Sequence, residues 1–218
     1  MLAIDSNLVR TALPDTDPLL SFHSAQRPLS VSITKKPASE MSTEELNACF
    51  NLVKTTSSAD YKASRVGWHP REKLLEMRDP RMWYLLVRST SPPSSNQSHP
   101  TLEPIRGFLS FMYTHDDYPD GALVVYIYEV HLDADMRGSG VGTHLIGVAE
   151  AVAERSEGVV GTMLTVFTRN KGAGGLYERL GYGRHATSPG DRVMRRKRVE
   201  AELRILVKGV GRGVEMGV

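Results

Sequence analysis

A single cysteine, Cys49, stands in the 218 residues, so no disulfide can form within the chain. That usage fits a reducing compartment. Cys49 falls inside a helical pattern and reads as a small core residue. No apolar run approaches the ~20 residues that a membrane-spanning helix requires. The first residues carry Asp5, Asp15 and Asp17 and lack the cationic-then-apolar order of a secretory signal. An excess of one charge is also missing. The formal net charge is +2, too near neutral to point to nucleic acid by itself. The histidines show no metal-ligand spacing, so no metal is expected, and no internal repeat occurs.

What is present suits one globular domain: 40% of residues are hydrophobic and 24% charged. Residues 1–28 read as an irregular extension broken by Pro14, Pro18 and Pro28. Residues 29–210 read as the domain and 211–218 as a tail. Leu29 to Thr34 alternates apolar and polar at the strand period. Ser42 and Glu45 have the spacing of a capping box, and Leu46, Cys49, Phe50 and Val53 follow at helical intervals. Pro70 can open a second short helix with Leu74, Leu75 and Met77 inward. Strands are expected at 82–88 and 107–113, separated by a flexible loop at 89–104 that holds four prolines. A long strand over 122–132, a helix over 140–153, a strand over 162–167, a helix over 172–180 and a last strand over 203–207 complete the order. This is an α/β (α+β) chain with a mixed, twisted sheet and helices on both faces.

The strand Tyr126-Ile-Tyr-Glu-Val-His-Leu132 runs into Arg137-Gly-Ser-Gly-Val-Gly142-Thr143. A helix begins within those glycines. Its first N–H groups have no intrahelical acceptor and sit at the positive end of the helix dipole, which suits a diphosphate. Arg137 adds a fixed cation. The spacing is neither that of a dinucleotide-binding fingerprint nor that of a P-loop. The alternative is a glycine-rich turn without a ligand.

The Arg-x-x-Gly-x-Gly spacing after a strand with Glu near its end resembles motif A of the GNAT acetyltransferases. Met163 to Phe167, Asn170, Ala173 and Tyr177-Glu-Arg-Leu-Gly-Tyr182 resemble that family's motif B. Within the family, Asp60-Tyr-Lys-Ala-Ser-Arg-Val-Gly-Trp68, Trp83-Tyr-Leu85, Tyr126-Ile-Tyr-Glu129 and Met163-Leu-Thr-Val-Phe-Thr-Arg-Asn170 resemble the NatD group. Those enzymes acetylate histone N-termini. The likeness spans roughly Ser39 to Leu180.

The resemblance implies a GNAT fold with a splayed central strand pair, acetyl-CoA as co-substrate, and transfer to the N-terminal Ser of histone 4 and histone 2A, whose tails begin Ser-Gly-Arg-Gly. It implies that Val130, His131 and Leu132 hold the pantetheine by their backbone. Arg137, Gly138, Ser139, Gly140, Val141, Gly142 and Thr143 would hold the pyrophosphate, and Asn170 would add a further contact. Glu129 matches the general base. Tyr61 and Tyr128 match residues that line the peptide pocket, with Tyr128 also close to the chemistry, and Thr165 matches one near the peptide. Tyr126, on the same strand face as Tyr128, and Trp68 would complete an aromatic wall, the alternative being that both strand tyrosines only pack in the sheet. Tyr177 stands where many GNAT enzymes place the acid that protonates the leaving thiolate. Among Asp116, Asp117 and Asp120, Asp116 is the first choice to receive the substrate arginine. The sequence departs from the group at Val66, where a Trp is expected, in lacking a late tyrosine, and throughout the region after Arg184.

Direct attack in a ternary complex follows from the chemistry. A free α-amine titrates at about 7.7–8.0, so a base need take only one proton. Acetyl transfer to lysine or small amines, or a silent acetyl-CoA-binding module, remain alternatives. The basic run Arg192 to Arg198 reads either as a solvated face or as a dock for ribosome or chromatin. Cytoplasm and nucleus are the expected locations.

Overall fold

The computed structural model describes residues 7–90, 103–116, 121–194 and 197–210. The core of the loop expected at 89–104 and the 211–218 tail lie outside the described residues, as do Asp117 and Asp120.

Eight strands form one sheet. In chain order they are β1 (Ser21–His23), β2 (Ser30–Pro37), β3 (Trp83–Ser89), β4 (Ile105–His115), β5 (Leu123–Leu132), β6 (Val159–Phe167), β7 (Gly183–Arg184) and, after a separate hairpin of β8 (Arg192–Met194) and β9 (Lys197–Val199), β10 (Leu203–Gly209). The spatial order is β1-β2-β3-β4-β5-β6-β10-β7. Neighbours are antiparallel except β5 and β6, which are parallel. A parallel pair needs a crossover, and α4 (Val141–Glu154) provides it.

The helices divide between the faces. On one side α1 (Asn7–Ala12), α4 and α5 (Lys171–Arg179) close the larger core, which includes Leu109, Phe111, Val125, Ile127, Leu145 and Val148. On the other, α2 (Thr43–Lys62) and α3 (Pro70–Met77) cover a second core around Tyr84, Leu86 and Phe108. The expected mixed sheet with helices on both faces is therefore observed. The capping box forms as its spacing predicts: Glu45 N donates to Ser42 Oγ at 3.2 Å and Ser42 N donates to the Glu45 carboxylate at 3.0 Å. Cys49 is fully buried on the inner face of α2, and burial pushes its thiol far above the ordinary range.

Two expectations need correction. Leu75, expected inward, is 69% exposed, and Met77 alone carries the buried contact of α3. The helix is only eight residues long; Met77 packs into the core and Lys73 reaches Glu129 of β5. Residues 7–28, expected to be an irregular extension, belong to the domain. Val9 and Leu13 have no exposed surface and pack in the larger core, and β1 forms an edge of the sheet. Burying each such side chain contributes about 1.5–3 kcal/mol. The prolines at 14 and 18 cut this segment into pieces too short to show a period, which is why its sequence looks patternless.

Candidate active site

The parallel pairing of β5 with β6 runs from Leu123↔Val159 to Ile127↔Leu164 and then stops. Beyond that point β5 pairs only with β4, as far as Leu132↔Gly107, and β6 pairs only with β10, as far as Leu203↔Phe167. The two central strands thus splay apart at Tyr128 and Thr165. The backbone of Val130, His131 and Leu132 borders the gap, where an amide-bearing arm can take up the hydrogen bonds that β6 no longer supplies.

A bulge sits at the same place. Phe111 faces Ile127 and Ser110 faces Glu129, which leaves Tyr128 as the extra residue of β5. Without the bulge, Tyr128 and Glu129 would point to opposite faces. With it, Tyr126, Tyr128, Glu129 and His131 all reach the α2–α3 side, while Ile127, Val130 and Leu132 pack toward α4.

At the end of β5 the chain turns into the glycine loop. Gly138 and Gly140 have φ of +70° and +94°, values that L side chains rarely adopt. Gly140 caps α4 without a side-chain hydrogen bond of its own, and the first N–H of the helix, that of Val141, makes a long contact of 3.5 Å to Ser139 Oγ. Ser139 is buried and its hydroxyl donates to Met136 O. Arg137 and Thr143 are exposed beside the loop, and Gly142 packs against Leu132. The N-terminal strap lies on its other side. Ser24 Oγ donates to Ser139 O at 2.7 Å, Arg27 donates to Asp135 O at 3.1 Å, and the Phe22 ring would stand 3.1 Å from a Cβ on Gly140. A loop so held suits a bound diphosphate.

A pocket of about 320 Å³ opens beside the splay. Tyr61, Trp68, Tyr126, Tyr128 and Thr165 line it, so the structure brings together all but one of the expected peptide-contacting residues. The Tyr61 ring stands 5.6 Å from Trp68 and edge-on to Phe167 at 4.9 Å. The Tyr126 hydroxyl is 2.5 Å from Thr165 Oγ1. Val66 is also in the wall, 48% exposed, where the resembling group has a Trp.

Asp116 is the residue left out. It follows the last residue of β4, which runs antiparallel to β5, so it lies beside the start of β5 rather than the pocket; Met112 is the residue opposite Tyr126. Four residues of strand separate the two, about 13 Å. Its carboxylate instead meets His185 Nε2 at 2.9 Å. The acids of the pocket are Glu72 and Glu76, one helical turn apart on α3. The sequence reading missed them, although their spacing after Pro70 puts both on one helix face.

Glu129 and His131 are each 7% exposed. Glu129 Oε1 accepts from Lys73 Nζ at 3.0 Å, and Oε2 lies 2.5 Å from His131 Nε2. Burial would raise the carboxyl, but the adjoining imidazole and ammonium outweigh it and hold it at about 2. Burial would likewise lower Lys73; the Glu129 charge, with Tyr61 and Glu76, reverses that and keeps it an ammonium well above the usual range. Lys73 also reaches Glu76 at 2.6 Å and stands 5.0 Å above the Tyr61 ring. On the far side of the sheet, Tyr177 of α5 is buried and pushed up to about 12, first by burial and then by the Glu129 charge. It is a neutral phenol at working pH. Asn170 caps α5 by accepting from Ala173 N at 3.1 Å and is otherwise exposed.

Comparison with known proteins agrees with this geometry. The acetyltransferase (GNAT) family model matches residues 72–182, just over half the chain. The chain belongs to the GNAT acetyltransferase family. It is 30% identical over 164 residues to N-alpha-acetyltransferase 40 of Saccharomyces cerevisiae, an alignment that covers 66% of this chain and 53% of the yeast protein. The chain therefore spans about half the length of that relative. Among solved structures, Arabidopsis thaliana NAA60 in complex with a bisubstrate analogue superposes with a TM-score of 0.59 at 13% identity, covering 83% of this chain and 100% of NAA60. Arabidopsis Naa50 with the bisubstrate analogue CoA-Ac-MVNAL gives 0.51 at 14% identity, covering 81% and 97%. At these identities the two structures establish the shared fold.

Proposed function

We propose that this GNAT protein is an N-alpha-acetyltransferase that moves the acetyl group of acetyl-CoA to the free N-terminal amine of a protein beginning Ser-Gly-Arg-Gly, the start of histone 4 and histone 2A. One observation carries the reading. An aromatic pocket of about 320 Å³ opens onto the splay, and Glu72 and Glu76 are among the residues that line it. A short N-terminal residue fits the aromatic wall, and an arginine that follows finds an acid to pair with. The match to N-alpha-acetyltransferase 40 supports the N-terminal acetyl-transfer part of this reading.

In this reading the splay takes the acetyl-pantetheine arm along Val130 to Leu132, and the glycine loop with Arg137 takes the pyrophosphate. Asn170 adds a cofactor contact. The amine nitrogen attacks the thioester carbon, the backbone N–H of Val130 stabilises the oxyanion, and the C–S bond breaks with its electron pair on sulfur. Glu129 removes one proton from the amine, and Tyr177 supplies one to the thiolate. Tyr128, the bulged residue, closes the pocket against the reacting centre. The basic hairpin β8–β9 serves as a dock for ribosome or chromatin, with the enzyme working in cytoplasm and nucleus.

The deciding experiment is mass spectrometry of a peptide library incubated with protein and acetyl-CoA. Ser-Gly-Arg-Gly peptides should gain one acetyl group at the N-terminus, and the same peptides with a blocked N-terminus should gain none. Equal transfer to the blocked peptides would replace this reading with lysine acetylation.

A further inference from the structure

Glu129 does not end in the pocket. Its second oxygen continues into a chain of hydrogen bonds that crosses the buried layer between α2 and the sheet. His131 Nε2 lies 2.5 Å from Glu129 Oε2, and His131 Nδ1 lies 2.5 Å from Thr56 Oγ1. Thr56 in turn donates to Leu52 O at 2.7 Å. Thr56 lines a second cavity, of about 310 Å³, between α2 and the connection from β5 to the glycine loop. Lys73, at the other end of the chain, lines the peptide pocket. The chain thus runs from one cavity to the other.

Counting protons sets its direction. A hydroxyl has one proton to give. Thr56 gives its proton to Leu52 O, so the proton between Thr56 and His131 belongs to Nδ1. His131 Nε2 and Glu129 Oε2, at 2.5 Å, then share one proton, because two lone pairs would not approach so closely. The Nδ1 proton and the Thr56 hydroxyl both point away from the peptide pocket and toward the second cavity.

We infer that His131 and Thr56 are proton-relay residues that carry the proton shed by the substrate amine away from Glu129 and into the second cavity. This rests on the acetyl-transfer reading above. The step balances. As the N–C bond forms, one proton leaves the amine for Oε1, the oxygen on the pocket side. The shared proton moves fully to Nε2, the Nδ1 proton passes to Thr56, and Thr56 releases its own to water in the second cavity. One proton enters and one leaves. The step leaves one proton on Glu129 and one on His131 Nε2; the chain resets when the His131 ring turns to bring its proton back to the Thr56 side and Glu129 and Thr56 return to their starting orientations.

The electrostatics agree. A carboxylate held at about 2 stores no proton at neutral pH, so Glu129 works only if what it takes is passed on. Histidine is the side chain whose ordinary titration lies nearest neutrality. The groups facing the His131 ring are Glu129 from its own strand, Thr56 from α2 and the apolar Phe108 ring from β4 at 5.5 Å, with Lys73 of α3 acting through the other oxygen of Glu129.

Two measurements test the relay. With a Ser-Gly-Arg-Gly peptide, H131Q should lower kcat by about 10²-fold and T56V by about tenfold, both with KM for acetyl-CoA unchanged. The solvent-deuterium dependence of kcat should be curved for the native protein and straight for T56V, because only a relay moves several protons at once. Variants that lose rate but keep the native pH profile and the curvature would overturn the proposal. The second measurement needs no acceptor. In the free protein, proton NMR should show a strongly downfield resonance for the Nε2–Oε2 proton, absent in H131Q, whose exchange with water slows in T56V. An exchange rate unchanged in T56V would also overturn it. A native protein that acetylates no free N-terminus, yet shows the slowed exchange, would sink the functional reading and leave the relay standing.

Discussion

Tyr128 and Glu129, neighbours in sequence, project to the same face of β5. The bulge between Ile127 and Glu129 makes this possible, and it occurs where β5 and β6 part. One extra residue thereby does two things. It sends an aromatic ring into the pocket wall, and it sends a carboxylate into the buried layer behind it.

The acids on α3 should read the peptide. Glu72→Gln is expected to raise KM for a Ser-Gly-Arg-Gly peptide about tenfold and to leave KM for a Ser-Gly-Ala-Gly peptide unchanged, the loss of one charge-assisted pair. Steady-state kinetics on the two peptides check this. An equal effect on both would remove Glu72 from arginine recognition. Glu76, already engaged by Lys73, should show the smaller response.

The glycine loop should not tolerate a methyl group at residue 140. Gly140→Ala adds a Cβ at φ +94° and 3.1 Å from the Phe22 ring. The left-handed backbone alone costs about 1–2 kcal/mol. Calorimetry should show weaker acetyl-CoA binding and a lower Tm. Phe22→Ala in the same protein should recover the part due to crowding and leave the backbone part.

Stability should depend on pH through Glu129. Its carboxyl is ordinary in the unfolded chain, near 4.5, and lowered to about 2 in the fold. A lowered carboxyl contributes stability that is present above the unfolded value and is lost as pH falls through the folded one. Between about pH 4.5 and pH 2 the native protein should therefore lose Tm more steeply than Glu129→Gln. Parallel curves over that window would contradict the buried pairing.

The N-terminal segment should be needed for the fold. Leu13→Ala removes a fully buried side chain and should cost about 2–5 kcal/mol by urea denaturation. A change below about 0.5 kcal/mol, the scale of surface substitutions, would show that residues 7–28 lie loosely on the domain.

Much of the fold is legible in the sequence because the signals are local. The capping box at Ser42 and Glu45, the glycines at 138 and 140, and the apolar period of α4 each occupy a few consecutive residues. The aromatic pocket is readable because its tyrosines sit in recognisable segments. What stays hidden depends on distance or register. Glu72 and Glu76 meet Tyr128 only across the fold. A bulge leaves no mark in an alternating strand, so the sequence offers His131 for its backbone alone, while its ring lies in the buried chain to Thr56. The strap escapes notice because Pro14 and Pro18 leave no piece long enough to show a period.

Ser24 and Ser139 are separated by 115 positions, yet their hydrogen bond seats the strap against the glycine loop. Contacts of such long range form late, after the loop-closure entropy has been met elsewhere. The seated glycine loop is thus a late product of folding, although its glycines lie within five consecutive residues. A folding chain that has already made α4 still lacks the seated loop until Phe22, Ser24 and Arg27 come back across the sheet.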